Sequence, residues 1–548
     1  MAVWTQVYDP LGNLAFSALV AAIPALLLLI LIAGFNVKIH RAALAALAAC
    51  LFIAITVYRM PIGLAAASAI DGAGYGLFPI GWLVLNIIFF YRLTVKQGLF
   101  DVMRRSLAQV APDPRIQLIL IAFAFGAFLE GMSGFGAPVA VTAAVLIQLG
   151  FPPLRASGLA LVANTAPVAF GSLGIPLVTL QQVTDLDLRG LSTTTAGLLV
   201  GFALLIPSLI VVMLSGWRGL AGVWPASLVA GFSYAATQYL VAVFLGPWLA
   251  APLASIACIL ALVLLLRVWR PRHLLRFDDG KLVPTAHIPS IANETNKAIF
   301  KAWLPWGVLT LLILVWGLPI FPAAIDKSAG FNFPWLAGHV HRAPPIDLPG
   351  TPGIKAFFKL NILAVPGTGI FIGAIIVGPL IGISARAWLK TYAETFWSIR
   401  LSLLTMAAML ALGYVTRYSG TDGTLGLALS RSGPLYPFFG TLLGWIGAAI
   451  TGSDTSSNVL FGSLQKITSQ QLGLNPVLMG AANTCGGVMG KMVSSQSIVV
   501  ASTATNWYGH EGRILRYVFL TSISLASLMG ALVWLAANCP PFTWLVAK

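Results

Sequence analysis

The sequence predicts an all-α polytopic membrane protein, and three observations carry that prediction. The 548 residues are 58% hydrophobic and only 9% charged, whereas a soluble chain carries about 25% charged residues to face water. Apolar runs that approach or exceed the roughly 20 residues a helix needs to cross a bilayer recur from end to end. Two regions, one in each half, break the spanning pattern in the same way, with short apolar arms around a small-residue, polar tip. No long polar segment intervenes, so residues 1–548 read as a single membrane domain.

The first run, Leu14 to Phe35, ends in a basic loop with Lys38 and Arg41. Positive residues mark cytoplasmic loops, so the N-terminus faces outward. It has no basic leader region and no small-residue cleavage site, and the first span is expected to be retained. Ala42 to Val57 returns outward. Pro61 to Gly76, rich in Ala and Gly, is expected as a helix at the interface, and Phe78 to Leu93 comes back in. A basic amphipathic stretch with Lys96, Arg104, Arg105 and Arg115 follows.

Ile116 to Gln148 is apolar but interrupted at 131–138, with Arg115 and Arg155 at its two ends. Short arms with the same flanks predict a re-entrant hairpin. From Arg155 a helix rises to Asn164 and Thr165, breaks through Gly171, Gly174 and Pro176, and resumes towards Asp185. Irregular backbone at membrane depth is tolerated only where protein or a water-filled cavity covers it.

Spans are expected at Ser192 to Leu214, Val223 to Leu245, Trp248 to Trp269 and Trp303 to Ile320. The basic loop from Arg267 to Lys301 lies between the last two. A polar external loop, Phe321 to Lys359, precedes the span Leu360 to Ile383. A second interfacial stretch, Ser384 to Ser398, precedes the span Ile399 to Thr416. Gly440 to Gln471 then repeats the hairpin, with its tip at Thr451 to Asn458. Pro476 to Asn506 repeats the broken helix, with its break expected from Asn483 to Gly487 and at Gly490. Leu515 to Ala537 closes the chain.

Setting Gly134 on Gly452 aligns the hairpins, and one further residue of shift places Asn164-Thr165 on Asn483-Thr484 and Gly171 on Gly490. An odd number of crossings between the hairpins makes the repeats inverted, an arrangement typical of secondary transporters. The expected architecture is about twelve transmembrane helices plus two re-entrant hairpins, as inverted repeats of five spans plus hairpin. Residues 14–215 form the first repeat, 216–302 the linking spans and basic loop, and 303–538 the second repeat.

Half-helices ending inside the membrane offer unpaired N–H groups and a partial positive charge to an anion. Ser133, Gly134, Asn164, Thr165, Ser456, Ser457, Asn483 and Thr484 surround these ends and suit a small carboxylate bearing a hydroxyl. The same residues would also serve simply to cap broken helices and let neighbours approach closely. Three charges sit at membrane depth, where ionisable residues are by default functional. Lys491 is a candidate for the substrate carboxylate, and Glu130 and Asp454 are candidates for proton coupling, because a dry site favours the neutral acid. Their repeat counterparts are Ser172, Ala448 and Gly136, so the charges break the symmetry. A structural Lys–acid pair is the alternative reading.

Other classes find little support. The net charge of +16 sits in short loops with no aromatic-and-basic groove, which argues against nucleic acid. Cys50, Cys258, Cys485 and Cys539 show no pairing or metal motif, and the histidines show no metal-ligand spacing. No metal or cofactor is expected. No nucleophile-and-base set suggests an enzyme.

The segments Gly131-Met-Ser-Gly-Phe-Gly-Ala-Pro-Val-Ala140 and Ala163-Asn-Thr-Ala-Pro-Val-Ala-Phe-Gly-Ser172 resemble signature segments of the lactate permeases. So do Trp4-Thr-Gln-Val-Tyr-Asp-Pro-Leu-Gly-Asn13 and Gly452-Ser-Asp-Thr-Ser-Ser-Asn-Val-Leu-Phe-Gly462, and the likeness covers nearly the whole chain. The resemblance implies uptake of lactate or glycolate with a proton across the bacterial cytoplasmic membrane. By analogy with related ion transporters, it also implies elevator-type movement of the hairpin-bearing part. A sodium-coupled or exchange transporter of another small carboxylate is the nearest alternative.

Overall fold

The computed structural model describes residues 3–546 apart from 34, 36, 109, 133, 135–136, 279–280, 285–294, 318–330, 334–335, 347–357 and 508–509. Among the described residues, nine helices are long and apolar enough to cross a membrane, or ten if one bent pair counts as a single span. Large apolar side chains such as Leu19, Phe232, Leu264 and Leu520 stand exposed on the outer surface. That is the arrangement hydrocarbon favours, and the chain is a multi-pass membrane protein.

Leu14–Ala33 and Ile39–Thr56 form the first two helices. Ile62–Tyr75 takes the place of the helix expected at the interface, with Leu64, Ala65, Ser68, Asp71 and Gly72 buried and Ile62 and Ile70 exposed. A Cβ on Gly76 would stand 2.6 Å from the carbonyl of Met406, so these two backbones touch. The chain then bends at Phe78, whose backbone is extended, and continues as Trp82–Lys96.

The first hairpin enters through Pro114–Met132, all of it buried, and returns through Ala137–Gln148. Part of the entering arm, Leu118–Phe125, is wound as a π-helix, a form frequent at functional sites. Its base is clamped by a buried ion pair. Arg115 donates from Nε and Nη2 to Asp113 at 3.0 and 2.8 Å, and from Nη1 and Nη2 to the carbonyls of Gly219 and His273. The two side chains are 4% and 0% exposed. The basic loop is thereby tied to the hairpin, because Leu275 N also donates to Asp113 and opens a small antiparallel β-ribbon with 281–284. Removing one partner of a buried pair costs about 3–5 kcal/mol. Arg115→Met is expected to lower thermal stability in detergent by that order. Asp113→Asn in the same chain should recover part of it, and a melting curve of each variant checks both statements.

The first broken helix consists of Pro153–Ala163 and Val168–Thr184, bent by 64°. Inside the second piece Ser172, Leu173 and Gly174 all adopt left-handed backbone, with φ of 46, 57 and 75°. Two of these are not glycine, and such a conformation persists only where surrounding structure imposes it. Leu188–Ala221, Trp224–Phe244 and Ala250–Val268 follow, then Asn296–Gly317 and Pro366–Leu380. Much of the expected polar loop 321–359 lies outside the described residues. Its Val340–His341 strand pairs in parallel with Trp4–Thr5.

Two expectations are corrected here. The interfacial stretch Ser384 to Ser398 and the span after it form one unbroken helix, Ala385–Ser419, capped by Ser384. That segment contains no proline, so nothing interrupts its hydrogen-bond ladder. A short helix, Thr421–Leu429, follows it and was not anticipated. The second correction concerns the second broken helix. Pro476–Lys491 runs straight through Asn483 and the glycines, and the break falls at 492–494, before Ser495–Ala504. The glycines serve close packing instead. A Cβ on Gly486 would collide with the carbonyl of Thr441, and one on Gly490 with that of Trp445.

The second hairpin comprises Tyr436–Thr451, a tip at Gly452 in left-handed backbone, and Asp454–Gln471, so its turn falls where it was expected and its first arm begins earlier, at Tyr436. Glu511–Asn538 is the last long helix.

Candidate functional site

Both hairpin ends and both helix breaks border one cavity of about 150 Å³, closed on one side by the 385–419 helix. Its polar wall includes Glu130, Ser172, Thr179, Asp454, Ser456 and Lys491. A cavity of about this volume elsewhere holds a molecule the size of benzene.

Local structure explains how charges come to lie here. Lys491 is the last residue of its half-helix, and Asp454 is the first of its own. A cation at a helix C-terminus and an anion at an N-terminus each match the helix dipole. Glu130 sits in the last turn of the entering arm, and small residues leave it room. A Cβ on Gly171 would lie 2.7 Å from its Oε1. Gly134, at φ 56°, packs against Ser172 beside the same carboxylate. Gly487 does the same for Asp454, since a Cβ there would overlap its Oδ1.

Lys491 Nζ donates to Glu130 Oε1 at 2.6 Å, with the side chains 12% and 3% exposed. Asn164 Nδ2 donates to the other carboxylate oxygen at 3.0 Å. Both oxygens of Glu130 are thus engaged. The carboxylate of Asp454 is in the opposite condition. Neither of its oxygens has a hydrogen-bond partner among the described residues, nor has Asn164 Oδ1, Thr165 Oγ1 or Thr179 Oγ1.

Of the residues proposed from sequence, Glu130, Asp454, Ser456 and Lys491 meet at this cavity. Asn164 and Thr165 border a smaller recess beside it. Gly134 lines neither cavity but packs against Ser172 on the wall of the larger one, and Ser133 lies outside the described residues. Three others are elsewhere. Ser457 Oγ donates to the Gly444 carbonyl at 2.9 Å, inside the hairpin. Asn483 Nδ2 and Thr484 Oγ1 both donate to Asn458 Oδ1 at 2.9 Å, and Asn483 Oδ1 accepts from Gln465 at 3.2 Å. Asn458 in turn donates to the Pro176 carbonyl at 3.0 Å. This pair locks the second hairpin to its neighbouring helices, and its polar groups are already committed to protein partners. Neither residue lines the cavity. The hub, Asn458, went unread, although its place one helical turn after Asp454 put it on the same face. Ser172 was seen only as the repeat counterpart of Lys491, and both stand on the cavity wall. Among the described residues no three His, Cys, Asp or Glu side chains group as metal ligands.

Residues 17–539 match the family model described as L-lactate permease. The chain is 42% identical to glycolate permease GlcA of Escherichia coli over 552 residues, covering 98% of both chains. It is 41% identical to the L-lactate permease of Bacillus subtilis, covering 99% of this chain and all of that one. Among solved structures, the YdaH transporter of Alcanivorax borkumensis aligns with 97% of this chain and 100% of its own, at 16% identity and a TM-score of 0.45.

Proposed function

Because the chain belongs to the L-lactate permease family, we propose that it takes up lactate, and glycolate, by proton symport across the bacterial cytoplasmic membrane. The relatives named for these two substrates support the choice of a 2-hydroxy monocarboxylate. The observation that carries the mechanism is the buried Lys491–Glu130 pair on the wall of a cavity of about 150 Å³.

Lys491 and Glu130 balance each other's charge. A substrate carboxylate that reaches Lys491 displaces Glu130 and brings one uncompensated negative charge into a water-poor cavity. Burying an unpaired charge is costly, and one proton on the released carboxyl group restores the balance. Substrate and proton then travel together, because neither alone leaves a neutral site. Asp454 faces the same cavity and is the second candidate for that proton. Ser456 and the first turn of Asp454–Gln471 offer further donors to the anion. The inverted repeat of five spans plus hairpin, and elevator-type movement of the hairpin-bearing half, belong to the same reading. The meeting of both hairpins and both breaks at one cavity supports them.

Uptake of labelled lactate by proteoliposomes, with proton and sodium gradients imposed separately, tests the proposal. Accumulation is expected from an inward proton gradient in sodium-free buffer. Accumulation that requires sodium would instead make the oxygens of Asp454 part of a cation site and remove proton coupling.

A further inference from the structure

We propose that the recess formed by Asn164 and Thr165 is the subsite for the substrate's 2-hydroxyl group, and that it separates 2-hydroxy acids from plain carboxylates. This rests on the reading above, in which Lys491 receives the carboxylate. The recess has a volume of about 10 Å³, close to that of one water-sized sphere, so it holds a single oxygen atom. It shares Val168, Lys491 and Ser497 with the main cavity and therefore adjoins it. A molecule held by its carboxylate at Lys491 has its 2-position at this junction.

Two of the side chains that line the recess, Asn164 and Thr165, are only 4% and 2% exposed. Asn164 Oδ1 and Thr165 Oγ1 have no partner among the described residues. The amide orientation of Asn164 is settled by its neighbour. The atom that meets Glu130 Oε2 at 3.0 Å must be the NH₂ group, which leaves Oδ1 as a pure acceptor. The Thr165 hydroxyl can donate. A 2-hydroxyl is both donor and acceptor, so it satisfies the two together. Apart from Lys491 and Ser497, which it shares with the main cavity, the rest of the wall is apolar: Val139, Leu161, Val168, Val488 and Met492. A substrate with hydrogen in place of the hydroxyl leaves both groups buried and unpaired. A site built to bind a hydroxyl rejects the analogue that lacks one, for that reason.

Competition of lactate and of propionate against labelled lactate on purified protein tests the assignment. Thr165→Val keeps the shape and removes the hydroxyl. It is expected to weaken lactate about 10-fold while leaving propionate within about twofold, and Thr165→Ser is expected to restore lactate. Thr165→Ala, which only removes atoms, serves as a second variant if Thr165→Val does not purify as a folded protein. Equal losses for lactate and propionate, or unchanged discrimination, would overturn the subsite and leave the recess as a place for a structural water. The carboxylate assignment fails separately. If Lys491→Gln keeps full lactate affinity while Thr165→Val still erases discrimination, the hydroxyl subsite stands and the role of Lys491 falls.

Discussion

Glu130→Gln should abolish proton-driven accumulation of lactate while preserving lactate counterflow. The glutamine still accepts from Asn164 in the same space, but it neither competes for Lys491 as a charge nor carries the coupled proton. Two further results follow from that substitution. Lactate should bind more tightly, because its rival for the cation is gone. The affinity should also lose its dependence on pH. If, as proposed, the unsubstituted protein takes up one proton with each lactate, its affinity falls by up to about tenfold per pH unit on the alkaline side. Lys491→Gln is the complementary variant. Losing a hydrogen bond to a charged group costs about 1.5–3 kcal/mol, or roughly 10- to 100-fold in lactate affinity. If Glu130→Gln still accumulates lactate against a gradient and Asp454→Asn does not, the proton belongs to Asp454. Binding titrations across pH, set beside uphill uptake, distinguish these cases.

The largest effect on the folded state is expected at the contact between Tyr436–Thr451 and Pro476–Lys491. Here backbone lies on backbone at Gly444, Gly486 and Gly490. A Cβ on each would run into the carbonyl of Asn483, Thr441 or Trp445 respectively. Close approach through small residues is a principal source of helix association in lipid. A carbonyl cannot turn aside as a flexible side chain can, so the helices must separate. Overpacking costs about 1–3 kcal/mol where side chains can adjust, and more is expected here. Gly486→Val is expected to yield no monodisperse protein on size exclusion in detergent, and Gly490→Ala to yield much less. Gly201→Ala and Gly307→Ala are the controls, since nothing lies within 4 Å of a Cβ at either. Normal yields for Gly486→Val would mean that this contact does not hold the hairpin.

Much of this architecture was legible because it depends on local sequence. A Gly-rich tip inside an apolar run and Pro beside Gly in a rising helix announce irregular backbone at membrane depth. Both hairpins and the first broken helix stand where those signals put them. The charges Glu130, Asp454 and Lys491 were equally visible, since an ionisable residue in such a run is by default a functional candidate. The local signal failed where one residue type has two uses. Glycines 486, 487 and 490 read as a break, yet they sit inside a continuous helix and give room to a neighbouring backbone and to Asp454. Asn483 and Thr484 read as ligands because they repeat Asn164 and Thr165, although the two pairs share only a tripeptide context.

By itself the sequence determined the membrane-spanning class, the two hairpins and the identity of the buried charges, all of which follow from composition along short stretches. Only the tertiary structure decided which polar groups are free to act. Lys491 meets Glu130 across 361 residues, Asn458 occupies Asn483 and Thr484, and Asn164 and Thr165 keep atoms beside the cavity that have no partner among the described residues. Whether a buried hydrogen-bonding group is satisfied depends on partners brought from distant parts of the chain, and no local pattern records them.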